Sequence, residues 1–212
     1  MPELPDIMIY IEALQRQCTG HPIEKVLLKS VFLVRSLEPD LFAVQGRRVL
    51  GFRRLGKRVV WELEDELFLV FHLMISGRFH LRKPGTKPTR KTDLLALQFA
   101  DFTVMLTEVG SKRRASLFVV SGEDRLADHS PKGLEVLDAP IEDFTQALSS
   151  ENRTLKRALC NPSMFSGIGN AYSDEILHAA RLSPFKWTSR LSAEEVERLY
   201  GLANDKPRSC PQ

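Results

Sequence analysis

The hydrophobic period of this chain changes once along its length, and that change limits it to a fold in two parts. Residues 23–34, 48–52, 58–63, 67–73, 77–81, 94–99, 103–106 and 116–120 read as short runs of β-branched and aromatic side chains broken by Gly, Pro and charged turns. Seven or eight such runs predict an antiparallel sandwich or barrel. Beyond about residue 121 the spacing turns helical, over 141–149, 152–160, 170–180 and 192–204, with Asp-, Pro- and Gly-containing links between. A helix over 6–18 is expected ahead of the strands, because Ile7, Ile11, Leu14 and Cys18 recur at offsets of four, three and four and so share a face. Asp6 suits its cap and Gly20 its stop. The expected fold class is therefore α+β. An N-terminal helix plus an antiparallel β-sandwich domain occupies 1–125, a linker 126–140 and an α-helical domain 141–204, followed by a tail over 205–212.

At 212 residues the chain can bury one large core or two modest ones. The three cysteines, Cys18, Cys160 and Cys210, share no Cys-x-x-Cys spacing, and the five histidines pair with none of them at a ligand spacing. Neither a disulfide framework nor a zinc site is expected from that pattern. The longest apolar run, 67–73, is strand-sized and carries His72, and no charged leader precedes an apolar stretch. A monomer in the cytoplasm, associated with the nucleoid and not with a membrane, is expected.

The net charge is only +3, so what matters is where the cations sit. Arg47, Arg48, Arg53, Arg54, Lys57 and Arg58 form one group, Arg78, Arg82, Lys83, Lys87, Arg90 and Lys91 a second, and Lys112, Arg113 and Arg114 a third. All three are expected in or beside turns, where they are either a solvated surface or a set of phosphate contacts.

The opening residues, Met1-Pro2-Glu3-Leu4-Pro5-Asp6-Ile7, carry a chemical possibility of their own. Once Met1 is trimmed, Pro2 presents a secondary amine, whereas an internal proline nitrogen is an amide without a proton. An α-amino group titrates at roughly 7.7–8.0, so a useful fraction is unprotonated near neutrality. Attack on an aldehyde-like carbon would give an iminium ion, an electron sink that favours loss of a neighbouring proton and of a leaving group. Glu3 is a candidate proton carrier beside it. Read without other support, the same residues are an ordinary terminal tail or a turn into a helix.

This opening closely resembles the start of the formamidopyrimidine-DNA glycosylase and endonuclease VIII family, in which the proline begins base excision and the glutamate assists. Further segments agree. Leu55-Gly56-Lys57-Arg58 lies between two expected strands, and Lys57 matches the family lysine that reaches the reacting sugar and its phosphate. Thr154-Leu155-Lys156-Arg157 followed by Gly167-Ile168-Gly169-Asn170 resembles the family's helix-two-turn-helix element. There Gly167, Gly169 and Asn170, with Asn170 also capping the next helix, would clamp the DNA backbone together with Lys156. His72-Leu73-Met74-Ile75-Ser76-Gly77 resembles the turn that fills the hole left by an extruded base. Ile75 would hold the wedge position with Met74 beside it, although core packing accounts equally well for both. Ser111-Lys112-Arg113-Arg114-Ala115 lies where the family carries an Arg-Arg-Phe loop; Arg114 can meet the base opposite the lesion, while Ala115 replaces the aromatic.

The resemblance implies a bifunctional glycosylase and abasic-site lyase that repairs oxidised bases by base excision through a Schiff base on Pro2, acting on double-stranded DNA with an oxidised base or abasic site. Pro2, Glu3 and Lys57 would be its catalytic residues. No metal or organic cofactor is expected. The family's zinc finger is also expected to be absent, because Asp205-Lys206-Pro207-Arg208-Ser209-Cys210-Pro211-Gln212 is too short to form it. The alternative is a non-catalytic or degenerate protein that binds damaged DNA.

Overall fold

The computed structural model describes residues 1–110, 112–137 and 139–204. They form two compact units: one of Met1–Pro2 and Ile9–His129, the other of Glu3–Met8 and the chain from Ser130 onward.

In the first unit, two four-stranded sheets carry the fold. Helix α1 (Leu4–Cys18) gives it the residues from Ile9 on. The strands are β1 (Lys25–Leu28), β2 (Val49–Leu55), β3 (Arg58–Leu63), β4 (Leu67–His72), β5 (Gly77–Arg82), β6 (Asp93–Gln98), β7 (Thr103–Glu108) and β8 (Ser116–Ser121). One sheet runs β1-β6-β7-β5 and the other β2-β3-β4-β8, with every neighbouring pair antiparallel. A short helix α2 (Glu123–Ala127) closes the unit.

Aromatic side chains join the two sheets. Trp61 on β3 lies with its ring centroid 5.9 Å from Phe71, 6.2 Å from Phe79 and 6.5 Å from Phe99, so one indole touches rings contributed by both sheets. This is the sandwich core that the alternating runs require. The face of α1 read from its spacing is buried, with Ile11, Leu14 and Cys18 all turned inward, and burial pushes the Cys18 thiol up to about 12.

The second unit is helical. After β9 (Leu134–Glu135) come α3 (Ile141–Ser149), α4 (Leu155–Leu159), β10 (Phe165–Ser166), α5 (Asn170–Ala180) and α6 (Ala193–Asn204). Phe144, Phe165, Leu155, Leu159, Ile176 and Leu199 form its core together with Leu4, which α1 supplies.

Three expectations change. The run over 23–34 is a strand only through Leu28; the N–H groups of Lys29 and Ser30 both donate to the Leu94 carbonyl, which turns the chain into a 3₁₀ helix at Val31–Leu33. The stretch 126–140 is not a bare linker, since Leu126 is buried and β9 pairs in parallel with β10. Asp6 does not precede α1 but lies in its first turn, where its carboxylate accepts the Glu3 N–H at 2.9 Å. That is the backward half of a capping box.

The Trp61 indole N–H has no hydrogen-bond partner among the described residues. Trp61→Phe removes that unmet donor while keeping a ring, so it should cost less than about 1.5 kcal/mol in urea unfolding, against about 3–5 kcal/mol for Trp61→Ala.

Candidate functional site

Within the second unit, a carboxylate from the start of the chain is held at the start of a helix from its far end. Both oxygens of Glu3 accept backbone N–H groups of α5, Oε1 from Ala171 at 3.2 Å and Oε2 from Tyr172 at 2.9 Å. The main chain is held as well: Leu4 N–H donates to the Gly167 carbonyl at 3.0 Å. Glu3 is only 7% exposed, and the first-turn amides with the positive end of the α5 dipole face its charge.

The two glycines have separate duties. Gly167 adopts φ 87°, a left-handed conformation suited to a residue without Cβ. Gly169 is needed for close approach, since a Cβ there would lie 2.4 Å from the Glu3 carboxylate carbon. Asn170 does not cap α5 with its side chain; the cap position is Gly169, and Asn170 is the first helical residue. The distant Glu3 satisfies the amides that a local cap would have taken. Asn170 is exposed, and its Oδ1 lies 3.5 Å from the Cys160 sulfur, which also touches the Ser173 hydroxyl at 3.1 Å. Lys156, on α4, donates to the Asn170 carbonyl and pairs with Asp174 at 2.6 Å. Glu3, Lys156, Gly167, Gly169 and Asn170 are thus brought together, and Pro2 is one peptide bond upstream of the anchor.

The first unit carries the rest. Gly56 and Lys57 form a two-residue loop between paired Leu55 and Arg58, with Gly56 at φ 60°. A positive φ at the first loop position matches a type II′ hairpin and puts Lys57 at its tip. His72, paired with Arg58 across the sheet, is pushed down to about 4 by burial first and then by the charges of Arg58 and Lys57. Arg58 in turn donates to the His129 carbonyl.

Met74 takes φ 54° in the turn between β4 and β5, and Ile75 beside it is 55% exposed. Core packing therefore does not account for Ile75, whereas Met74 is half-buried. Ser76 Oγ donates to the Val109 carbonyl at 2.6 Å, tying this turn to the loop that holds Arg114. Ser111 lies outside the described residues, as do 205–212. Arg114 is exposed, and Ala115 is buried, so Ala115 cannot wedge into a base stack.

Glu108 carries no signal in the sequence. Its carboxylate is 1% exposed and accepts the N–H groups of both Arg114 and Ala115 at 2.9–3.1 Å, which fixes the loop. The first basic group also differs from expectation. Arg54 and Arg58 lie beside the Gly56–Lys57 loop as expected, but Arg53 lies within β2, and Arg47, Arg48 and Arg53 pair with Asp65, Glu64 and Glu62. Among the described residues no cluster of three His, Cys, Asp or Glu could hold a metal ion, and no helix is long and apolar enough to cross a membrane.

Similarity to known proteins extends over both units. The model of the formamidopyrimidine-DNA glycosylase N-terminal domain matches residues 1–115, and that of the formamidopyrimidine-DNA glycosylase H2TH domain matches 133–205. A formamidopyrimidine-DNA glycosylase of Heliobacterium modesticaldum is 33% identical over 207 residues, covering 94% of this chain and 75% of that protein. One of Solibacter usitatus is 29% identical over 204 residues, covering 94% and 73%. The Lactococcus lactis enzyme solved with DNA containing an abasic site superimposes with a TM-score of 0.85 at 23% identity, over 96% of this chain and 77% of that one, a likeness of fold.

Two predictions arise here. Gly169→Ala should destabilise the second unit by about 1–3 kcal/mol, and combination with Glu3→Ala should fall short of additivity by at least about 1 kcal/mol, measured by urea unfolding of the four-member cycle. Because the folded state depresses the His72 pKa, its stabilising contribution is complete above about pH 6.5 and is lost as pH falls toward 4. His72→Gln should remove roughly 1–2 kcal/mol of the acid-induced loss between those limits, after allowance for solvent screening.

Proposed function

We propose that this chain, which belongs to the formamidopyrimidine-DNA glycosylase family, excises oxidised bases from double-stranded DNA and then cleaves the strand at the resulting abasic site. The observation that carries this reading is the anchoring of Glu3 by the Ala171 and Tyr172 amides, with Gly169 leaving room for the carboxylate. A terminal amine is a useful nucleophile only when its backbone is held still, and here the adjoining residue is fixed through both side chain and main chain.

In the proposed reaction, a damaged nucleotide leaves the stack and the Pro2 nitrogen, freed by removal of Met1, attacks C1′. The bond from C1′ to the base breaks, and the base departs with the electron pair and gains a proton. Glu3 takes the proton that the Pro2 nitrogen loses after its attack and passes it to O4′ as the C1′–O4′ bond opens, which yields the iminium. Loss of a C2′ proton expels the 3′ phosphate by β-elimination, and a second elimination releases the 5′ phosphate. The iminium supplies the electron sink, so these steps call on no metal or organic cofactor. Lys57 stabilises the departing phosphate oxygens. Asn170, Lys156 and the Gly167–Gly169 turn hold the backbone, Ile75 with Met74 fills the vacated stack, and Arg114 meets the opposite base.

Borohydride reduction during incubation with a duplex carrying one abasic site should trap a covalent protein–DNA adduct with Met1-processed protein. Pro2→Gly should lower its yield at least about 100-fold, and Lys57→Ala should slow strand cleavage by roughly 10- to 1,000-fold. No adduct with the wild type, or an undiminished adduct with Pro2→Gly, would leave a damaged-DNA-binding protein without proline chemistry.

A further inference from the structure

What Asn170 can bind depends on which end of its side-chain amide faces outward. A phosphate oxygen only accepts hydrogen bonds, so a phosphate contact requires the amide nitrogen on the outside; the amide oxygen in that place would repel it. The two ends of a carboxamide are nearly the same size, and shape alone does not choose between them.

The choice falls to the groups behind the amide. Cys160, half-buried just after α4, points its sulfur at three oxygens: the Ser173 hydroxyl at 3.1 Å, the Gly169 carbonyl at 3.4 Å and Asn170 Oδ1 at 3.5 Å. The single proton of the Ser173 hydroxyl is donated to the Asn170 carbonyl at 2.9 Å. Ser173 therefore meets the sulfur with lone pairs, which makes the thiol the donor of that contact. It is also fully buried, so its hydroxyl has no water to turn to instead. The Gly169 carbonyl can only accept as well. The thiol proton is thus what this cluster has to share, and a carboxamide set against a donor turns its oxygen inward. Nδ2 is then the outward atom, and it has no hydrogen-bond partner among the described residues.

The main chain of Asn170 is fixed independently. Its carbonyl accepts from the Ser173 hydroxyl and from the Lys156 ammonium, which also pairs with Asp174 at 2.6 Å. With the backbone held, the freedom left to Asn170 lies in its side-chain torsions, and those are what the thiol acts on.

We infer that Cys160 is a positioning residue for Asn170: its thiol, steered by buried Ser173, holds Oδ1 inward and so keeps the amide nitrogen outward for a phosphate oxygen. The inference rests on the reading of Asn170 as a DNA contact, and not on the chemistry of Pro2. Without the thiol proton the amide loses the donor that distinguishes its two ends, and its oxygen faces the phosphate for part of the time. Alanine at 160 removes that donor, whereas serine keeps one.

Binding of the full chain to a duplex carrying an abasic-site analogue tests this through a cycle of Cys160→Ala, Asn170→Ala and the double variant, with Cys160→Ser beside it. Loss of one hydrogen bond sets the scale: Cys160→Ala should weaken binding roughly three- to tenfold and Cys160→Ser should stay within about twofold of wild type. Added to Asn170→Ala, the Cys160→Ala change should alter affinity by less than about 1.5-fold. The slope of log affinity against log salt should be unchanged in Cys160→Ala, because no cation is lost. A purely structural role would give the same loss with and without the Asn170 amide, and that result would overturn the inference. So would Cys160→Ala binding at wild-type affinity, or a shallower salt slope, which would assign the effect to Lys156. Asn170→Ala binding as tightly as the wild type, or no binding by either, would overturn the reading of the turn as a DNA contact and the inference with it.

Discussion

The carboxylate of Glu3 on the first turn of α5 is the contact on which the helix start of the second unit depends. It spans 169 residues of sequence to Tyr172, and it settles three local questions together. It supplies the acceptor that a helix start lacking a side-chain cap at Gly169 requires. It fixes why residue 169 has no Cβ, since any side chain there would occupy the space of the carboxylate. It also docks Leu4 into a core otherwise made from residues beyond 130. A Gly-x-Gly-Asn turn opening a helix is normally read as a phosphate cradle. Here two of the amide donors in that cradle belong to the chain's own glutamate, which leaves the exposed Asn170 side chain as the outward group.

Charge is distributed by the same logic of internal satisfaction. Six cations between Arg47 and Arg58 look in sequence like one basic patch, but the sheet sets Arg47, Arg48 and Arg53 against Asp65, Glu64 and Glu62. Exposed pairs of this kind add little stability, yet each offsets the charge of one arginine. Lys57 is set apart by its place at the hairpin tip. In the loop after β7 the arrangement is reversed. Buried Glu108 uses its acceptors on the main-chain amides of Arg114 and Ala115, and the guanidinium of Arg114 stays exposed. One carboxylate neutralises cations in the first case; in the second it shapes the backbone that displays one.

The difference between these two uses marks what was legible in the sequence. Period and turn chemistry depend on near neighbours, so the helix face of Ile11, Leu14 and Cys18 and the strands between 48 and 121 could be read directly. The hairpin position of Lys57 was legible for the same reason, because a glycine ahead of it in a two-residue loop has few conformations open to it. What escaped was each contact between residues far apart in the chain. Glu3 looked like the neighbour of one helix start and serves another, and Asp6 looked like a cap but lies inside the first turn. Glu108 carried no signal, since an acidic residue at a strand end is more often solvated than 1% exposed. Strand length at 23–34 failed for a related reason: propensity favoured extension, but both N–H groups after Leu28 found a single carbonyl on β6.

The hairpin tip shows how burial can limit the charge that gathers around a lysine. Lys57, Arg58 and His72 lie close enough for both cations to depress the histidine, and a third positive charge there would compete with Lys57 for any anion and for solvent. Burial in the sheet makes the neutral imidazole the favoured form down to about pH 4, so across the physiological range the cluster carries two charges instead of three. Arg58 is tied to the His129 carbonyl and Arg54 to that of Gly56 at 3.0 Å, which fixes the backbone on both sides of the loop. A lysine side chain is long and loses much rotamer freedom when it binds. A rigid two-residue turn confines that loss to the side chain itself, and this is the condition under which a single ammonium group on a loop can stabilise a developing phosphate charge instead of merely raising the local cation concentration.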